Sequence, residues 1–274
     1  MKRKIVADSS ADMLTLDGLD FESVPLKIRT TEKEYIDDGH LDSMQMLDEL
    51  KKYKGKSKSS CPNPDDFLAA FEGADEVFCI TITSGLSGSF NSACTAARMF
   101  EEKGGKAFVI DSLSTGPESA LIVEKLRELI AFDLPFDEVK SEVAAYMKGT
   151  HLSFALESLT NLSRNGRVSP IVAKICGVLG IRIVGKASDM GTLEVTGKAR
   201  GERGAVNHLF SDMKKNGYSG GKVRIHHAGN EKAAGLLSEM ITAEFPEANV
   251  VTDTTRGLCS FYAECGGLLV GYEE

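Results

Sequence analysis

Two consecutive segments of this chain repeat one signal: a short apolar run, a polar turn, then an amphipathic run. Val77–Ile82 passes through Thr83-Ser84-Gly85-Leu86-Ser87-Gly88-Ser89 into a helix expected over Phe90–Lys103, which Gly104-Gly105 ends in the left-handed way. Ala107–Ile110 then passes through Asp111-Ser112-Leu113-Ser114-Thr115-Gly116 into a helix expected over Glu118–Ala131. Strands joined through helices run parallel, and a parallel sheet needs helices on both faces. The repeat therefore predicts a three-layer α/β/α unit for the first half of the chain. Ile5-Val6-Ala7, running into the polar turn Asp8-Ser9-Ser10-Ala11-Asp12, adds a strand of the same kind, and Val24–Thr30 reads as another.

Ligands bind such sheets beyond the carboxyl ends of the strands. Asp8, Ser9, Ser59, Ser60, Ser84, Ser87, Asp111 and Ser112 all fall there and are expected to share one rim. Between the strands, Asp42 caps a helix carrying Met44, Leu47 and Leu50 at helical spacing. Ser57 to Pro64 is extended, because residues before proline avoid the helical region, and Asn63-Pro64 opens a helix through Phe71. Phe136, Val139, Val143, Tyr146 and Met147 form a helical stripe suited to core packing.

From about His151 the pattern changes. Leu152–Leu156, Ile181–Val184, Leu193–Thr196, Val223–His227, Asn249–Thr252 and Gly267–Val270 read as strands, several alternating apolar with polar residues. Helices are expected near Pro170–Val178, Gly204–Lys215, Glu231–Phe245 and Leu258–Glu264. This is a second α/β unit, two-layered, with a mixed sheet of about six strands and helices on one side. The expected domains are residues 1–150 and 151–274.

A chain of 274 residues with 42% hydrophobic content can bury two ordinary cores. Its net charge of −8 repels a phosphate backbone, and no basic stripe reverses that, so nucleic acid is not an expected partner. The six cysteines form no C-x-x-C pair and no metal-ligand spacing with the histidines, and read as reduced thiols of a cytosol. Asp37-Asp38 and the Asp8/Asp12 pair lack calcium-loop spacing, so no metal is expected. Ile5-Val6-Ala7 is too short for a secretory core, and no window approaches the roughly 20 apolar residues of a membrane helix. The expected location is the cytoplasm.

The serine turn offers unpaired helix N–H groups and hydroxyl donors to an anion. Ser87 or Ser89 equally suits a plain helix cap, and the turn alone does not separate the two uses. Gly85-Leu86-Ser87-Gly88-Ser89 puts serine where a nucleophile elbow needs its second glycine, which disfavours a hydrolase. None of His40, His151, His208, His226 and His227 is nominated as a base, and His226 and His227 in one strand should face opposite ways. Gly220-Gly221-Lys222 and Gly104-Gly105-Lys106 lack the hydroxyl residue of a phosphate loop, so ATP is not an expected ligand. In Leu159 to Pro170 a glycine turn presents Arg167, either to nearby carbonyls or to an anion or partner.

Together these stretches resemble the DegV family of fatty-acid-binding proteins. The matches are Asp8-Ser9-Ser10-Ala11-Asp12, Ser59-Ser60-Cys61-Pro62, Ser84 through Ala93, Asp111-Ser112, Leu162 through Ser169 and the region of Gly257, nearly end to end. The resemblance implies a long-chain fatty acid held between two α/β domains and no cofactor. It implies a carrier without turnover that presents the carboxyl group to a separate ATP-dependent fatty acid kinase, which forms acyl phosphate for phospholipid synthesis.

By that resemblance the head-group set is Ser59, Ser60, Ser87, Gly88, Ser89 and Thr255, and Arg167 and Arg200 face the kinase or its phosphate. Thr255 stands where the family carries a histidine, which removes a charge partner for the carboxylate and leaves Arg256 as a substitute. Cys61 replaces a glutamine, and Leu258-Cys259 replaces Pro-Gly of a Gly-Pro-Gly. The acyl tunnel is expected in the second domain, with Phe154, Leu156, Ile171, Ile175 and Phe261 as lining. The competing readings are a serine acyl hydrolase or transferase using Ser87, and a scaffold whose lipid is a structural filler.

Overall fold

The computed structural model describes residues 1–169 and 180–274. Ile171 and Ile175, with the helix expected over Pro170–Val178, lie outside the described residues. In the first half the strands are β1 (Arg3–Asp8), β2 (Asp20–Val24), β3 (Lys27–Arg29), β4 (Glu34–Ile36), β5 (Lys58–Ser60), β6 (Glu76–Thr81) and β7 (Lys106–Asp111). They alternate with helices α1 (Ser43–Lys52), α2 (Pro64–Phe71), α3 (Ser89–Glu101), α4 (Gly116–Ala131) and α5 (Phe136–Tyr146). The second half carries β8 (Thr150–Leu156), α6 (Thr160–Arg164), β9 (Ile181–Ala187), β10 (Leu193–Arg200), α7 (Gly201–Lys215) and β11 (Val223–His227). It ends with α8 (Glu231–Glu244), β12 (Val250–Thr254), α9 (Gly257–Ala263) and β13 (Leu268–Glu273).

β1, β2, β6 and β7 form a wholly parallel sheet in the order β2-β1-β6-β7. The period-two alternation of its strands divides two cores. Ile5, Ala7, Phe78 and Ile80 point to α4 and α5, where they meet Ile122, Val123, Leu126, Val139 and Val143. Val6, Val77 and Cys79 point the other way and meet Phe67 and Phe71 of α2 and Ala93, Ala96 and Phe100 of α3. This is the expected α/β/α sandwich. The expected strand Val24–Thr30 holds only β3 and the last residue of β2, since Pro25, which has no N–H to give a ladder, separates the two. β3 pairs antiparallel with β4 and β5, a three-stranded sheet that carries Ser59 opposite Ile28.

The six-stranded mixed sheet runs β10-β9-β8-β13-β11-β12. One face, with Val184, Val223, Ile225, Leu268, Val270 and Tyr272, packs on α7 and α8. The opposite face carries Leu152, Phe154, Leu156, Ile183 and Leu269, and meets Leu162 of α6 and Cys259 and Ala263 of α9.

α4 joins the halves, because it packs on β1 and β6 and also on β13 and β11. The fit at β13 is close: a Cβ on Gly271 would sit 2.4 Å from the Glu118 nitrogen and 2.5 Å from the Pro117 carbonyl carbon. Arg224 of β11 fixes the far end, its Nε and Nη2 donating to the two oxygens of Glu124 at 2.7 and 2.6 Å. Such a forked pair holds orientation as well as distance. His226 and His227 face opposite ways as expected, but neither reaches the surface: both are buried, His226 Nδ1 lying 3.0 Å from Asp12 Oδ2 and His227 Nδ1 accepting the Asn230 N–H, because the strand is covered on both faces.

Candidate functional site

The cavity between the halves is bounded by the exposed end of the parallel sheet, the Leu152–Leu156 face of the mixed sheet, and α9. The space around it, open mouth included, is about 660 Å³. Its wall is overwhelmingly apolar: Leu26, Ile82, Leu86, Leu152, Phe154, Leu156, Leu162, Leu193, Leu258, Ala263 and Leu269. The polar side chains in it are Ser59, Ser87, Thr115, Arg167 and Tyr262, together with the thiol of Cys259.

The serine turn is held rigidly from below. Asp8, fully buried at the end of β1, accepts the Ile82 N–H at 3.0 Å and the Ser89 hydroxyl at 2.5 Å on Oδ2, and Ser10 on Oδ1. Burial pushes the Asp8 carboxyl above its ordinary value, against the pull of those donors. Asp111 Oδ1 accepts the N–H groups of Ser84 and Leu113, and the Thr83 carbonyl accepts those of Leu86 and Ser87. The hairpin between β9 and β10 lies directly on the turn. A Cβ at Gly191, which has φ +67°, would fall 2.0 Å from Thr83 Oγ1, so only glycine lets the two halves meet there.

Gly88, the cap position just before α3, provides no side-chain cap. The Ser87 hydroxyl accepts the Ser89 N–H at 3.3 Å, and its own hydrogen remains to donate into the cavity. Ser89 is different in kind: its hydroxyl is spent on Asp8 and it does not line the cavity. Of the residues named from sequence, Ser59, Ser87, Arg167, Phe154 and Leu156 come together here. Ser60 sits opposite Lys27 in the small sheet and is not in the wall, and Gly88 is exposed beside Cys61. Thr255 is buried elsewhere, its hydroxyl 2.6 Å from that of Ser260 and its N–H bonded to the His227 carbonyl. Phe261 packs with Ile28, Tyr35 and Met46 in a closed core. Arg200 is exposed at the end of β10, outside the cavity wall.

Arg167 takes the local use that its turn allowed, donating from Nε to the Leu86 carbonyl at 3.1 Å and from Nη1 to the Asn165 carbonyl. Its guanidinium carbon also lies 5.9 Å from the centre of the Tyr262 ring. α9 places Leu258, Cys259, Tyr262 and Ala263 on one side, the i, i+1, i+4, i+5 spacing of a helix face. Two carboxylates from the first half hold its beginning. Asp12 accepts the Arg256 N–H, and the two oxygens of Asp37 accept those of Gly257 and Leu258, all at 2.8 Å. Burial pushes Asp37 up to about 6. Sequence reasoning passed over Tyr262, for which the only signal was its place four residues after Leu258 in a short apolar helix.

No group of histidine, cysteine and acidic side chains suited to a metal occurs among the described residues, and the five described cysteines are free thiols. No described helix is long and apolar enough to cross a membrane.

A family model described as "Uncharacterised protein, DegV family" matches residues 2–273. A DegV domain-containing protein of Streptococcus pneumoniae is 46% identical over 279 residues, covering 100% of this chain and 99% of its own. Among solved structures, the Streptococcus pneumoniae Fatty Acid Kinase (Fak) B3 protein loaded with linoleic acid is similar, with a TM-score of 0.98, 46% identity, and coverage of 100% of this chain and 99% of that one. A DegV family protein from Eubacterium eligens loaded with heptadecanoic acid gives a TM-score of 0.97 at 44% identity, covering 99% of each chain.

Proposed function

This chain belongs to the DegV family, and from that premise we propose that it carries a long-chain fatty acid in the cavity between residues 1–150 and 151–274, taken as two domains. The observation that carries this reading is the division of polarity in the wall. Aliphatic and aromatic side chains from both halves form most of it, while Ser59, Ser87, Arg167 and Tyr262 gather near the serine turn. The tail lies on Phe154, Leu156 and their neighbours, and the carboxylate meets Ser87 and Ser59. The ligands of the pneumococcal and Eubacterium eligens relatives, linoleic and heptadecanoic acid, support the same assignment.

The magnitudes assign the roles. Burying about 14 methylenes is worth on the order of 11 kcal/mol gross, at roughly 0.8 each. A carboxylate at a helix N-terminus adds about 0.3–2 kcal/mol. The tail sets affinity and the serine turn sets orientation.

In this reading the protein is a carrier without turnover of its own, which the fatty-acid-loaded relatives support. It presents the carboxyl group to a separate ATP-dependent fatty acid kinase in the cytoplasm, which forms acyl phosphate for phospholipid synthesis. The exposed Arg200 faces that partner, while Arg167 stays on the Leu86 and Asn165 carbonyls. The kinase-bearing name of the pneumococcal relative supports this step. The test is reconstitution with a bacterial fatty acid kinase, ATP and linoleate. Acyl phosphate should form only with all components present. Ester hydrolysis by the protein alone, lost in Ser87→Ala, would favour the hydrolase reading instead.

A further inference from the structure

The head-group end of the cavity contains a hydroxyl pair that the sequence did not indicate. Tyr262 Oη lies 2.6 Å from Ser59 Oγ, and both residues are in the wall with Ser87. Two hydroxyls facing each other form one hydrogen bond with one of their two hydrogens, so the pair keeps one hydrogen to give away. Ser87 apart, the other hydroxyls nearby are committed. Thr115 lies near the Ser10 carbonyl at 3.4 Å and the Cys259 sulfur at 3.5 Å, and Thr255 and Ser260 bond each other in the protein interior. The Arg167 guanidinium sits over the Tyr262 ring, while its Nε donates to the Leu86 carbonyl of the serine turn. Burial raises the phenol above its ordinary value, so Tyr262 stays a donor at neutral pH.

We propose that Tyr262 is a head-group residue: with Ser59 it forms a two-hydroxyl donor for the ligand carboxylate, in the same wall as Ser87. This rests on the fatty-acid reading above and deepens it. Thr255 is not placed to serve the carboxylate, and Tyr262, on the cavity face of α9, supplies a donor in its stead. The pair also makes the site selective for an oxyanion, since a ligand unable to accept strongly leaves the spare hydrogen without a partner.

The experiment compares linoleate with linoleyl alcohol, which shares its tail, by displacement of a fluorescent fatty acid from wild-type protein and Tyr262→Phe. The expected result is a roughly tenfold loss of linoleate affinity in the variant, with linoleyl alcohol changed less than about twofold. Unchanged linoleate affinity would overturn the proposal, and so would an equal loss for both ligands, which marks a packing role. Wild-type protein that binds neither ligand overturns the fatty-acid reading itself, and this proposal with it. Retained binding of the alcohol shows that the variant cavity is intact.

Discussion

Asp37 Oδ2 accepts the backbone N–H of Leu258 at 2.8 Å, joining residues 221 positions apart in sequence. With the Gly257 N–H on its other oxygen, Asp37 fixes the start of the helix that walls the cavity. The carboxyl is buried, and its folded value of about 6 lies above its ordinary 3.8. Between pH 4 and 6 the folded protein therefore holds a proton that the unfolded chain has released. Its contribution is fully present below pH 4 and is lost as pH rises through 6, an effect on the order of 3 kcal/mol. Urea unfolding across this range should show wild-type stability falling more steeply with rising pH than that of Asp37→Asn. Parallel profiles would show that Asp37 does not titrate in this way.

The two serines of the turn should separate. Ser87→Ala removes a donor from the cavity and should weaken fatty-acid binding about tenfold at unchanged stability. Ser89→Ala leaves the buried Asp8 short of a partner and should cost about 1–3 kcal/mol of stability with little effect on ligand. Thermal unfolding and ligand titration on both variants decide this. The reverse pattern would exchange their roles.

If the tail sets affinity, chain length should report it. Each added pair of methylenes is worth about 1.6 kcal/mol while the cavity still encloses them, or roughly fifteenfold. Titration with saturated acids of increasing length should show this steepness and then a plateau where the cavity ends. A flat series would place the binding energy in the head group.

Gly271→Ala tests the joint between the halves. The new methyl meets backbone atoms of Pro117 and Glu118, which cannot rotate aside. A loss of about 1–3 kcal/mol is expected, with a Tm lower by several degrees. Near wild-type stability would mean that α4 can slide over β13.

The parallel sheet was legible because two of its strands, β6 and β7, end in polar turns and lead to helices with apolar faces, a local pattern that needs no tertiary information. The helix starts were legible for the same reason: Asp42 accepts the Gln45 N–H, and Asn63 and Asp66 form a reciprocal cap. The three-stranded sheet was not, because a strand of three residues such as Glu34-Tyr35-Ile36 buries one side chain and is too short for a periodic signal. In the site, Ser87, Ser59, Phe154 and Leu156 were found because they sit at strand ends or in an apolar strand. Tyr262 and Leu193 were not, since what brings them to the cavity is the packing of α9 and of the β9–β10 hairpin on the first half. Phe261 illustrates the limit. One position from Tyr262 and likewise aromatic, it turns into the Ile28–Met46 core because a helix rotates about 100° per residue.

The most direct test is to extract the purified protein under denaturing conditions and identify small molecules released, by mass spectrometry. A long-chain fatty acid near one per chain is predicted, reduced in Ser87→Ala. A protein that releases none, and that takes up none when incubated with linoleate, would contradict the carrier account.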